Sequence, residues 1–140
     1  MKEALNLAKI AFDSDEVPVG CVIVKDNNII ASSYNRKELD GIATYHAEIL
    51  AINDACKKLG TWHLEDCTLY TTVEPCMMCT GAIIQSRIGR VVYGASNDSF
   101  GYLSKINNNK KIVINGGVMR EKCLLLLSDF FKKKRIDNNL

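Results

Sequence analysis

Thr68-Leu69-Tyr70-Thr71-Thr72-Val73-Glu74-Pro75-Cys76-Met77-Met78-Cys79 is the stretch whose reading decides the fold. Its first half, Thr68 to Thr72, is short, β-branched and aromatic, which is the composition of a strand. Pro75 then suits the first position of a helix, because its missing N–H would have no partner there. The helix is expected to run from Pro75 to about Ser86. Cys76 and Cys79 then lie three apart on one face of its first turn.

Working outward, the same alternation recurs. Upstream, 26 residues (Ile49 to Glu74) separate Pro75 from His46-Ala47-Glu48. Ile49, Ile52, Cys56 and Leu59 recur at helical steps, with Gly60 where a C-terminal cap belongs, so a helix is expected from about Thr44 to Leu59. Ala4, Leu5, Ala8, Ala11 and Phe12 make an amphipathic first helix, broken by Asp13 to Glu16. Val19 to Lys25 and Ile29 to Tyr34 flank Asp26-Asn27-Asn28 as a hairpin. Downstream, Arg90 to Tyr93 reads as a fourth strand and Lys111 to Ile114 as a fifth, with Asn107-Asn108-Asn109 a short polar loop. Gly116-Gly117 breaks the pattern before a final helix from Arg120 to Arg135. Its apolar run Cys123 to Leu127, with Phe130 and Phe131, is expected in the core first. The expectation is one α/β domain over 1–140, a central five-stranded mixed sheet with helices on both faces in three α/β/α layers.

Composition sets the broad class. The chain has 140 residues, 47% of them apolar and 24% charged, with a net charge of +2. These are the proportions of an ordinary globular protein able to bury a core without staples. Six cysteines without a secretory leader point to a reducing, cytoplasmic setting with no disulfide partner. No run has the length to cross a membrane. Lys132-Lys133-Lys134-Arg135, after Phe130-Phe131, is either a solvated helix end or a phosphate contact.

His46, Cys76 and Cys79 carry the chemistry. One imidazole and two thiolates are three zinc ligands, one short of a closed tetrahedral set, and catalytic zinc sites leave that position to water. A helix N-terminus favours negative charge and therefore thiolate, so two helix starts are expected to converge on one zinc ion per chain. Two thiolates cancel the charge of the ion, so its water needs a nearby proton acceptor. Glu48 is that candidate, although residues two apart on an ideal helix point about 200° apart. His63 is expected at the surface. Cys21, Cys56, Cys67 and Cys123 have no ligand spacing and read as small buried apolar residues.

Pro18-Val19-Gly20, His46 to Ile52, Leu69 to Ala95 and Ser128-Asp129-Phe130-Phe131 together resemble the cytidine deaminase-like superfamily. Within it the chain is most similar to the bacterial tRNA-specific adenosine deaminases. The H-x-E…P-C-x-x-C signature is that of zinc nucleobase deaminases. The resemblance implies a cytidine deaminase-like fold, zinc on His46, Cys76 and Cys79, and Glu48 as proton shuttle. It implies hydrolytic deamination at C6 of the wobble adenosine in a tRNA anticodon loop, giving inosine and ammonia. It also implies a homodimer, substrate contacts from Asn35, Tyr45 and Pro75, and RNA contacts from Phe131, Lys132, Lys133, Lys134 and Arg135.

The chain departs from the pattern at Tyr45 (usually small), Ala43 (usually proline), Cys21 (usually alanine) and the shortened segment 96–109. From Gly94 to Lys110 there are 17 residues, still enough for a parallel crossover of ~10–12. Tyr45 and the shortened segment favour an alternative, a zinc deaminase of a free base, nucleoside or nucleotide of guanine or cytosine type. A third reading is a non-catalytic zinc module binding RNA. It would need a fourth protein ligand from Cys67, Cys123 or His63.

Overall fold

The computed structural model describes residues 1–106 and 112–138. Its helices are α1 (Lys2–Asp13), α2 (Lys37–Asp40), α3 (Ala47–Leu59), α4 (Met77–Gln85) and α5 (Arg120–Asn138). Its strands are β1 (Gly20–Lys25), β2 (Asn28–Tyr34), β3 (Thr68–Val73), β4 (Arg90–Ala95) and β5 (Val113–Asn115). They form one mixed sheet in the order β2-β1-β3-β4-β5. β1 is antiparallel to β2 and β3, whereas β3, β4 and β5 run parallel. α1 packs with α5, and α3 packs with α4. The result is the expected three-layer α/β/α arrangement.

The hairpin turn is tight for a conformational reason. Asp26 and Asn27 both adopt positive φ, 50° and 62°, and Lys25 pairs with Asn28. Two left-handed residues suit the twist of the flanking strands, and Asp and Asn tolerate them. On β1, Cys21 and Ile23 join the core with α3. Gly20 alternates to the other face, where an added Cβ would lie 1.9 Å from the Ala4 carbonyl oxygen. Only a residue without a side chain lets α1 lie this close.

Several expected details differ. α3 starts at Ala47, not Thr44, because His46 is extended (φ −74°, ψ 152°). Gly60 closes it in the left-handed conformation, its N–H donating to the Cys56 carbonyl. The buried face of α3 is Ala47, Glu48, Ala51, Ile52 and Ala55, so of the expected stripe only Ile52 is fully buried and alanines make up most of that face. Cys56 is therefore only half-buried, unlike Cys21, Cys67 and Cys123. α4 begins at Met77, with Cys76 extended (φ −71°, ψ 178°), which puts Pro75 before the helix. The run from Cys123 to Leu127 splits by helical period: Cys123 is buried while Leu125 is 62% exposed. β5 is parallel to β4 as expected. The Asn107-Asn108-Asn109 loop and Lys111 lie outside the described residues.

Two elements were not anticipated. A short 3-10 turn occupies Leu103–Lys105. The other is α2, held by Glu16. This carboxylate is 1% exposed and accepts hydrogen bonds from the Glu38 N–H at 2.9 and 3.0 Å and the Leu39 N–H at 3.0 Å. It meets unpaired donors at a helix start, and a carboxylate is a strong partner for them.

Candidate active site

The starts of α3 and α4 meet. His46 Nδ1 lies 3.6 Å from Cys76 Sγ and 3.5 Å from Cys79 Sγ. The donor atoms of all three residues fall within 4.8 Å of one another. Bonds of about 2.3 Å to sulfur and about 2.0–2.1 Å to nitrogen at tetrahedral angles place N and S roughly 3.5–3.6 Å apart. The three residues therefore fit zinc in donor type and in spacing. Among the described residues no fourth His, Cys, Asp or Glu joins this group, and His63 is exposed, hydrogen-bonded to Glu65 and stacked on Trp62.

His46 and Cys76 are cap residues of α3 and α4, and this answers how Glu48 reaches the site. His46 stands outside the helix, so the 200° helical offset does not apply between it and Glu48. Glu48 is 4% exposed, and burial above all raises its pKa over the ordinary carboxylate value. Its influence on Cys79, through a hydrogen bond and charge, puts it at the donor cluster.

The two thiols behave as a pair. Cys76 is drawn down to about 3, first by the hydrogen bond from Cys79 and, against the opposing effect of burial, by His46. Cys79 is pushed up, first by that same hydrogen bond to Cys76 and then by burial. His46 is raised by its hydrogen bond to Cys76. A divalent ion here would take thiolates and neutral imidazole and release their protons.

Tyr45 and Pro75 directly precede His46 and Cys76, whereas Asn35 follows β2. Tyr45 is half-buried; its carbonyl accepts the Arg36 N–H at 3.0 Å and its N–H donates to the Ile42 carbonyl at 3.1 Å. Asn35 is 8% exposed. Its amide donates to the Val17 carbonyl at 3.2 Å and accepts from the Lys37 N–H at 3.3 Å. Asn35 also lines a cleft of about 610 Å³ with Glu16, Lys37, Phe130, Phe131 and Lys134. His46, Cys76 and Cys79 do not line that cleft. Pro75 is buried, and its carbonyl accepts the Tyr102 N–H at 2.9 Å.

The C-terminal cluster divides. Lys134 pairs with Asp15 at 2.6 Å and lies over the Phe130 ring, while Lys133 lies over Phe12. These two residues dock α5 on α1. Phe131, Lys132 and Arg135 are exposed.

Sequence reasoning gave no role to Glu74. It is 4% exposed and accepts from the Asn97 N–H at 3.3 Å, the Ser104 N–H at 2.9 Å and the Ser104 hydroxyl at 2.7 Å. Burial raises its pKa, but these hydrogen bonds outweigh it and hold the carboxyl below its ordinary value. A glutamate ending a buried strand needs such donors; which donors it finds is a tertiary fact.

A β2-β1-β3-β4-β5 sheet with His and paired Cys at the starts of two helices on one face defines the cytidine deaminase-like class of fold. The chain belongs to the MafB19-like deaminase family, whose model matches residues 1–135. It is 50% identical over 101 residues to a tRNA-specific adenosine deaminase of Streptococcus pyogenes serotype M18, a match covering 72% of this chain and 64% of that relative. The chain thus spans just under two thirds of that relative's length. A structure from a study of A-to-I editing by tRNA:A34 deaminases superposes with a TM-score of 0.85 at 36% identity, covering 91% of this chain and 97% of that one. The guanine deaminase of Bacillus subtilis superposes with a TM-score of 0.65 at 45% identity, covering 68% of this chain and 61% of that one.

Proposed function

We propose that this chain is a zinc-dependent hydrolase that converts adenosine to inosine at the wobble position of a tRNA anticodon loop. The observation that carries the reading is the 3.5–3.6 Å spacing of His46 Nδ1 from both thiols, with the buried Glu48 on the adjoining turn. The choice of substrate is supported by the tRNA adenosine deaminases that the chain resembles in sequence and structure.

His46, Cys76 and Cys79 would hold one zinc ion per chain. Bound there, zinc supplies the Lewis acidity that makes water a nucleophile near neutral pH. Glu48 would take one proton from the attacking water and pass it to N1 of adenine, then carry the second, from the new C6 hydroxyl, to the leaving amine. Its burial beside the donor cluster keeps it out of bulk water, a setting in which a carboxyl group can serve both as acceptor and as donor. Asn35, Tyr45 and Pro75 would form the wall around the base. Phe131 and the basic residues Lys132 to Arg135 would meet the RNA, whose unstacked loop bases are open to recognition. The setting is cytoplasmic and the working form a homodimer, as the resemblance implies.

A second reading, deamination of free guanine, is favoured by the superposition on guanine deaminase and by Tyr45, a bulky residue directly before His46. The test is elemental analysis of the purified chain, followed by ammonia release from free guanine, cytosine and cytidine. One zinc per chain with no ammonia from these small substrates is expected. Rapid ammonia release from guanine would favour the second reading. Zinc held by four protein ligands would favour the RNA-binding module.

A further inference from the structure

The segment following β4 is not a loose loop over the site. Its backbone pairs with the ligand turn itself: Gly101 forms an antiparallel bridge with Cys76, and the Tyr102 N–H donates to the Pro75 carbonyl at 2.9 Å. Beneath this contact sits Glu74, its carboxylate accepting from Asn97 on one side and Ser104 on the other. Gly101 is the point of closest approach. A Cβ there would lie 2.4 Å from the Asn97 carbonyl oxygen and 2.7 Å from the Glu74 carboxylate carbon.

We propose that Glu74 is a positioning residue for Cys76: it latches residues 97–104 onto the Pro75–Cys76 turn and thereby holds that thiolate where a metal ion needs it. This rests on the reading of His46, Cys76 and Cys79 as a zinc site. Cys76 is the residue that most needs such support. It stands outside α4 as the cap, half-buried, with extended backbone, whereas Cys79 is fixed within the helix. A ligand on a turn keeps its place only if the turn is held, and partners behind ligands commonly contribute 10–100-fold in metal affinity or activity. The latch can be opened from either side. Glu74→Gln sets an amide N–H against a backbone donor, and Gly101→Ala drives a methyl into Asn97 and Glu74 without altering the carboxylate.

The test is the rate at which the zinc-loaded full chain surrenders its metal to a chromophoric chelator, with the thiolate-to-metal absorption of the cobalt-substituted protein read in parallel. Glu74→Gln and Gly101→Ala are each expected to release zinc about tenfold faster and to shift the cobalt absorption. The double variant should release little faster than either single one, because both open the same contact. Ser104→Ala, which removes only the hydroxyl donor, should give a smaller increase. Ile23→Val, an apolar loss on β1, should lower the unfolding midpoint without changing release. Release at the wild-type rate from both Glu74→Gln and Gly101→Ala overturns the latch while leaving the zinc site standing. Wild-type protein that takes up no zinc overturns the site reading, and the latch with it.

Discussion

His46 and Cys76 both hold extended backbone one residue before a helix, and the chemistry of the site follows from that placement. A residue inside a helix points its side chain in a direction fixed by the helical turn. A cap residue does not, so His46 and Glu48 can share a site that an ideal helical wheel would forbid. Glu48 is expected to move protons rather than hold metal. Replacing it with alanine should leave zinc content at wild type and lower turnover by about 10²–10⁴-fold, the usual contribution of a positioned acid–base group. Elemental analysis beside a deamination assay checks this, and loss of zinc together with activity would make Glu48 a ligand instead. The residue types of this site were legible in the sequence because metal chemistry restricts which side chains can serve. Glu74 was not legible, because its partners Asn97 and Ser104 lie 23 and 30 residues away and only the folded sheet brings them near.

Elements are placed by small residues as much as by large ones. The periodicity of α3 is carried by Ile49, Ile52, Cys56 and Leu59, yet Ala47, Ala51 and Ala55 are the residues wholly closed off from solvent. A helix lying close on a sheet selects side chains too small to register strongly in a hydrophobic pattern. The mixed character of the sheet was more legible, since Asp26-Asn27 makes a hairpin and the segment before β5 has room for a parallel crossover, whereas the order of the strands was not. Gly20 sets the seat of α1. Gly20→Ala should destabilise by about 1–3 kcal/mol or more, the range for overpacking, read as a lower urea midpoint. The contact of α1 with α5 also depends on pH. The Lys134 hydrogen bond, its largest influence, holds Asp15 below its ordinary carboxylate value. A depressed carboxyl contributes stability above its unfolded pKa and loses it as pH falls through the folded value. Acid below about pH 4 should therefore loosen this contact. Asp15→Asn should flatten the decline, as seen in denaturation midpoints compared on the two sides of that pH.

Across the whole molecule, the donor cluster and the cleft at Asn35 are separate features joined by the segment from Asn35 to His46, which contains α2. The cleft borders the exposed Phe131 and the end of α5, which makes this end of the helix the place to test for RNA contact. Lys133 and Lys134 already serve the α1 contact, which leaves Lys132 and Arg135 as the stronger candidates for phosphate. Replacing both with alanine should weaken binding of an anticodon stem-loop and reduce the slope of log affinity against log salt by about 1–2. Titrations at several salt concentrations measure this, and an unchanged slope would move the RNA path elsewhere. The most direct test of the function is the fate of the wobble base. Zinc-loaded protein is incubated with an anticodon stem-loop carrying adenosine at that position, and the inosine formed is mapped by sequencing and nucleoside analysis. Inosine at the wobble position alone, absent with Glu48→Ala, is the expected result. Unchanged adenosine, while the same preparation releases ammonia from free guanine, would contradict it.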